Sequence, residues 1–264
     1  MINLFRKFEP KRYTYIHIGK TGGSYISEQC ENIKNFKVIH MAKPKYESSR
    51  KYIIWIRDPV ARFISAFNHS LNLVNFDIED RDFNTLYNDP DTPYYKLKNK
   101  IVNKIAYNHP FREWKSGIEY EELITYFKTP NNLAEALSSD DIIKKRKAMN
   151  LMGNSEVEHL HKGIGWYLDN GNFIEKYHKD VIFVGKQETM VQDLRLLSKS
   201  LNFQFNYEMK ETRKNNFEND KFLSPLGLSN IKSYYQKSDY KALLIMNQYK
   251  LINDEVLNNY GVGR

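Results

Sequence analysis

Two short segments hold the residue types that can grip an anion. The first is Gly19-Lys20-Thr21-Gly22-Gly23-Ser24. Glycines let a backbone approach a phosphate closely, and the N–H groups of such a loop and of the helix after it point at the anion. Lys20 adds a cation, and Thr21 and Ser24 add hydroxyl donors. The order differs from the GxxxxGK[ST] nucleotide loop, where the lysine follows the last glycine; here Lys20 precedes the Gly22-Gly23 pair. The bland alternative is a tight turn between a strand and a helix. The second segment is Ile53-Ile54-Trp55-Ile56-Arg57-Asp58-Pro59, continued to Ser65 and Phe67. A guanidinium that can bond bidentately, with a hydroxyl nearby, suits a phosphate monoester. Arg57 and Ser65 supply that pair. The alternative for Arg57 is an ion pair with a carboxylate such as Asp58.

The surrounding pattern says what positions these residues. Tyr13 to Ile18 is β-branched and aromatic, which predicts a strand leading into the glycine loop. Tyr25, Ile26, Cys30 and Ile33 recur at helical spacing after it. Phe36 to Ile39 is a short strand candidate, and Tyr52 to Ile56 is apolar on both faces, as in a buried parallel sheet. Asp58 then falls at an N-cap and Pro59 at the first helical position. The middle, from about Asn75 to Lys162, is polar and irregular, with a turn at Asn88 to Pro93 and a helix expected over Leu133 to Met152. Val181 to Val184 is another buried strand, Thr189 to Leu201 an amphipathic helix, and Leu226 to Leu257 mostly helical. Strands alternating with helices predict an α/β fold, a central parallel sheet flanked by helices on both faces. Ligands of such sheets bind at the carboxyl ends of the strands, where both the glycine loop and Arg57 fall.

Composition narrows the rest. The chain has 264 residues, 41% of them hydrophobic and 14% aromatic, which excludes disorder as its dominant state. No apolar run approaches the roughly eighteen residues of a spanning helix. The start, MINLFRKFEPKR, lacks the apolar core of a signal peptide. Cys30 is the single cysteine, so neither an intrachain disulfide nor a cysteine-based zinc site is possible. A cytoplasmic location and no membrane span are expected. Lys plus Arg number 40 and Asp plus Glu 32, a net charge of +8 that favours anionic partners without choosing among them.

YIHIGKTGGSYI followed by YIIWIRDPVARFISAF resembles the carbohydrate sulfotransferases, most closely the branch of heparan sulfate 2-O-sulfotransferase and its bacterial and viral relatives. The resemblance implies a P-loop-like sulfotransferase fold, one domain over residues 1–264 with about 75–162 as a mostly helical acceptor-side region. It implies a donor, 3′-phosphoadenosine 5′-phosphosulfate, released as adenosine 3′,5′-bisphosphate, and no metal. Gly19, Lys20, Thr21, Gly22, Gly23 and Ser24 match the loop that grips the 5′-phosphosulfate, with Lys20 at the family's catalytic lysine. Arg57 and Ser65 match the pair that grips the 3′-phosphate. Val181 to Phe203 resembles a late strand, a Gly-basic-x-Glu segment and its helix, with Lys186 where arginine is often found. Arg213 and Lys214, in ETRKNN, match more loosely a late basic loop over the 3′-phosphate; the alternative is a solvated loop.

Sulfuryl transfer needs an in-line arrangement and neutralisation of the leaving oxygen, a task for Lys20, and a base near the acceptor hydroxyl. In the resembling branch a catalytic histidine lies between the glycine loop and the arginine strand, which selects His40. The alternative for His40 is a strand-end histidine bonded to backbone. His17 reads as packing or loop support, His69 as near the site or merely on its helix, and His109, His159, His161 and His178 as surface residues. Glu28 and Glu188 are alternative bases. Lys144 to Lys147 is a solvated basic face or a glycan track, and Trp166 and Tyr167 are packing or stacking aromatics. The expected partners are the nucleotide donor and a glycan or other hydroxyl acceptor, with no nucleic acid. Two other classes stay open: an ATP-dependent kinase with a variant phosphate loop, and a non-catalytic binder of anionic polymers.

Overall fold

The computed structural model describes residues 12–79, 124, 126–153, 158–205 and 220–262. Asn88 to Pro93, His109, Arg213 and Lys214 lie outside the described residues. The chain divides into two compact units: residues 1–63, 162–218 and 231–264 form one, and 64–161 with 219–230 form the other.

The first unit is built on four parallel strands: β1 (Arg12–His17), β2 (Phe36–His40), β3 (Arg50–Ile56) and β4 (Val181–Lys186). Their order is β2-β1-β3-β4. Register is set by pairs such as Tyr15 with Val38, Tyr15 with Ile53, and Ile54 with Val184. Tyr52 to Ile56 are fully buried, as the two-faced apolar run of β3 requires. One face carries Tyr13, Tyr15, Ile53 and Trp55 against Ile26 and Cys30 of α1 (Gly23–Cys30) and against Leu194 and Leu197. On the opposite face Tyr52 meets Phe173 edge-on, with ring centroids 5.1 Å apart. The sheet is thus covered on both sides, and burial pushes the Cys30 thiol up to about 12.

α2 (Pro59–Glu79) starts where the sequence places it: the Asp58 carboxylate accepts from the Ala61 amide at 2.7 Å, and the Asp58 carbonyl from Arg62 N at 2.8 Å. In the second unit the expected helix over Leu133 to Met152 is two helices, α3 (Pro130–Ala136) and α4 (Ile142–Gly153). The break has a local cause. Asp141 accepts from the amides of Ile143 and Lys144 at 2.9 and 3.1 Å, so it caps a new helix instead of continuing the old one. α5 (Glu158–His161) follows in the same unit.

Back in the first unit come α6 (Ile164–Tyr167), α7 (Asn172–Tyr177) and α8 (Met190–Leu201), whose buried face is Asp193, Leu194 and Leu197. α9 (Pro225–Tyr235), a π-helical turn over Gln236–Tyr240, α10 (Lys241–Gln248) and α11 (Asp254–Asn259) complete the chain. No helix among the described residues is long and apolar enough to cross a membrane.

Candidate functional site

The glycine loop joins the end of β1 to α1. Lys20 sits at φ 68° and Gly22 at φ 84°, both left-handed. Gly22 is the N-cap of α1 and offers no side chain to the helix amides. A side chain at Gly22 would be strained, and its Cβ would run into Met190. The Thr21 hydroxyl, expected to face a phosphate, donates instead to the Ile18 carbonyl at 2.8 Å and is buried. Its proton therefore closes the loop on itself. Ser24 is exposed on the first turn of α1.

Arg57 leaves the end of β3 and its Nη1 donates to the Lys20 carbonyl at 3.2 Å. The guanidinium thus braces the loop from the neighbouring strand. It forms no ion pair within 4 Å among the described residues, and Asp58 spends one carboxylate oxygen on the Ala61 amide. The Nε of Arg57 is buried without a hydrogen-bond partner among those residues. Burial, offset by Glu188 and Asp58, lowers the Arg57 pKa below its ordinary value. A cation so placed, with an uncapped helix start across the loop, fits an anionic group. Ser65 lies half-buried about two turns along α2 and belongs to the second unit, whereas Arg57 belongs to the first.

His40 ends β2 beside His17, which ends β1. The His40 Nδ1 is 3.2 Å from the His17 carbonyl oxygen. His40 is exposed and His17 buried. Burial, then the nearby His40 and Lys20, push the His17 pKa down to about 3. After His40, Met41 takes a left-handed φ of 55° and its amide donates to the buried Tyr167 hydroxyl at 3.3 Å. Trp166 is half-buried, with the Lys162 and Lys43 ammonium groups 5.0 and 6.0 Å from its ring centre.

The other candidate bases stand elsewhere. Both Glu188 oxygens are used: one accepts from the Asp58 amide at 2.9 Å, the other from the Tyr260 hydroxyl at 2.7 Å. Burial and that carboxylate raise the Tyr260 pKa above its ordinary value. Glu28 is exposed on α1. His69 and His159 face each other within the second unit, ring centroids 5.1 Å apart, and His178 stacks on Tyr249 at 4.0 Å. Among the described residues no group of three or more His, Cys, Asp or Glu side chains converges as a metal site would need.

Two buried polar features lie outside the set of residues that the sequence motifs pick out. Asp193 is buried on α8 and its Oδ2 accepts from the Lys186 amide and the Thr189 hydroxyl, both at 2.7 Å. An aspartate among the apolar positions of an amphipathic helix is the hint that was there to be read. Arg62 and Asp239 form a fully buried ion pair at 3.4 Å, and Asp239 also accepts from the Gly165 amide at 2.9 Å. A groove of about 700 Å³ lies beside β4, lined among others by Lys186, Leu196, Lys250, Ile252 and Asp254. None of the loop residues lines it.

No family model matches this chain, and no curated protein or solved structure matches it.

Proposed function

We propose that the protein is a cytoplasmic sulfotransferase of the P-loop-like type, moving a sulfuryl group from 3′-phosphoadenosine 5′-phosphosulfate to a hydroxyl of a carbohydrate. The observation that carries this reading is the glycine loop at the end of β1, left uncapped at Gly22 and braced by Arg57 through the Lys20 carbonyl. The loop amides and the start of α1 would hold the 5′-phosphosulfate, and Arg57 the 3′-phosphate. Lys20 would neutralise charge on the departing 5′-phosphate oxygen. His40 would take the proton of the acceptor hydroxyl as its oxygen bonds to sulfur. The bond between sulfur and the 5′-phosphate oxygen breaks in the same step, and its electron pair leaves with the nucleotide. Sulfuryl transfer of this kind resembles phosphoryl transfer in depending on positioning and charge neutralisation.

The test is calorimetric titration with adenosine 3′,5′-bisphosphate beside AMP and ATP, without added metal. Binding that needs the 3′-phosphate and is lost in Arg57→Ala is the expected result. Equal binding of AMP and the bisphosphate would overturn the donor assignment. Magnesium-dependent binding of ATP would favour a kinase, and steeply salt-dependent binding of an anionic polymer without nucleotide affinity a polymer binder.

A further inference from the structure

The rings of His17 and His40 stack with centroids 4.0 Å apart and planes 24° from parallel. A carbonyl can only accept, so the contact of His40 Nδ1 with the His17 carbonyl oxygen puts the hydrogen on Nδ1. The lone pair of neutral His40 is then on Nε2. The His17 ring is itself held from two other sides. Tyr15, two residues earlier on β1, lies parallel to it, with centroids 5.6 Å apart and planes within 9°. Helix α1 opens with Gly23, where any Cβ would collide with the His17 ring. Glycine is required there for space. One imidazole therefore touches both the start of the loop helix and the ring of His40.

We propose that His17 is a positioning residue for His40, its carbonyl fixing the tautomer and its ring forming a floor that aims Nε2 at the acceptor hydroxyl. This rests on the sulfotransferase reading, in which Nε2 of His40 receives the proton. His17 itself exchanges no proton. The groups facing it are Tyr15 on its own strand, His40 on β2 and Lys20 in the loop. A positive charge on His17 would oppose the arrival of a proton on His40 directly above it. Its burial, with the Lys20 ammonium nearby, keeps it neutral through the range in which such an enzyme works.

Two independent readouts test this. In ¹⁵N-detected NMR of the full chain at pH 8, His40 carries its hydrogen on Nδ1, and His17 stays neutral when the sample is taken to pH 4.5. A His40 with its hydrogen on Nε2 overturns the proposal. In kinetics, His17→Ala lowers kcat by about 10²-fold, the scale of a misplaced reacting group, and leaves the donor KM and bisphosphate affinity in place. His17→Phe, a planar uncharged ring, restores kcat to within about tenfold of the parent, a recovery that separates floor from fold. An unchanged kcat in His17→Ala, or a folded His17→Phe as slow as His17→Ala, overturns the proposal. A parent chain that transfers nothing sinks the sulfotransferase reading instead. NMR of His17→Ala then decides alone: a His40 ring no more mobile by ¹⁵N relaxation than in the parent leaves the His17 ring no positioning role.

Discussion

β4 ends in Gly185-Lys186, β1 is followed after Ile18 by Gly19-Lys20, and both run into a helix, yet the two junctions are filled in opposite ways. After β4, the Lys186 amide and the Thr189 hydroxyl both turn to the buried Asp193 carboxylate, and the Gln187 amide goes to the Ile56 carbonyl at 2.9 Å. The protein's own anion sits where an outside one would. After β1, the N-cap is Gly22, with no side chain to offer, and no acidic residue stands in the first turn of α1. Its cations are Lys20 in the loop and Arg57 against the Lys20 carbonyl, and the carboxylates near Arg57, Asp58 and Glu188, lie outside the loop and α1. A Gly-Lys dipeptide at a strand end is therefore common to an open and a closed junction. What separates them is whether the chain supplies its own carboxylate.

Matched substitutions at the two lysines give the largest expected contrast. Lys20→Ala should lower sulfuryl transfer by about 10³-fold, the upper range for losing a group that stabilises a developing oxyanion. Lys186→Ala should leave transfer within about threefold of the parent, because its side chain borders a groove that no loop residue lines. Donor-dependent sulfate release from the two purified variants checks both. Equal losses in the two would mean that the junctions do not differ as their fillings suggest.

The same contrast marks how far sequence reasoning reaches. The four strands, the Asp58-Pro59 start of α2 and the loop after β1 follow from local chemistry: β-branched runs, a capping carboxylate, a glycine pair. Those signals act within a few residues and survive folding. The closures do not. Asp193 reaches back seven residues to Lys186, Glu188 spans 130 residues to Asp58, and Arg62 finds Asp239. No periodicity encodes such partners. The split of the Leu133 to Met152 helix belongs to the same class, since one Asp141 carboxylate outweighs a continuous helical pattern. His17 was legible as loop support, but its stack on His40 depends on strand register, which a sequence does not print.

Opening the closed junction should cost stability. Asp193→Ala removes the acceptor for a backbone amide and a hydroxyl in a buried setting, at about 1–3 kcal/mol for each group left unsatisfied. Water entering the vacated space would recover part of this, so a net loss of about 2 kcal/mol is expected from urea unfolding. Asp193→Asn, which keeps one acceptor oxygen, should lose less than Asp193→Ala. A variant as stable as the parent would show that the carboxylate is incidental to the turn.

Closing the open junction should do the reverse, and by less. Ser24 is exposed on the first turn of α1, two residues past the cap. Ser24→Asp places a carboxylate beside helix amides that lack a side-chain cap, where charge and dipole together are worth about 0.5 kcal/mol. That small gain should appear as a higher urea midpoint. The same carboxylate would compete for the amides and repel the donor, so adenosine 3′,5′-bisphosphate should bind at least about tenfold more weakly, a loss near 1.4 kcal/mol. Stability rising while nucleotide affinity falls would identify the uncapped loop as function held open at the expense of fold. Both rising together would mean that the anion binds elsewhere.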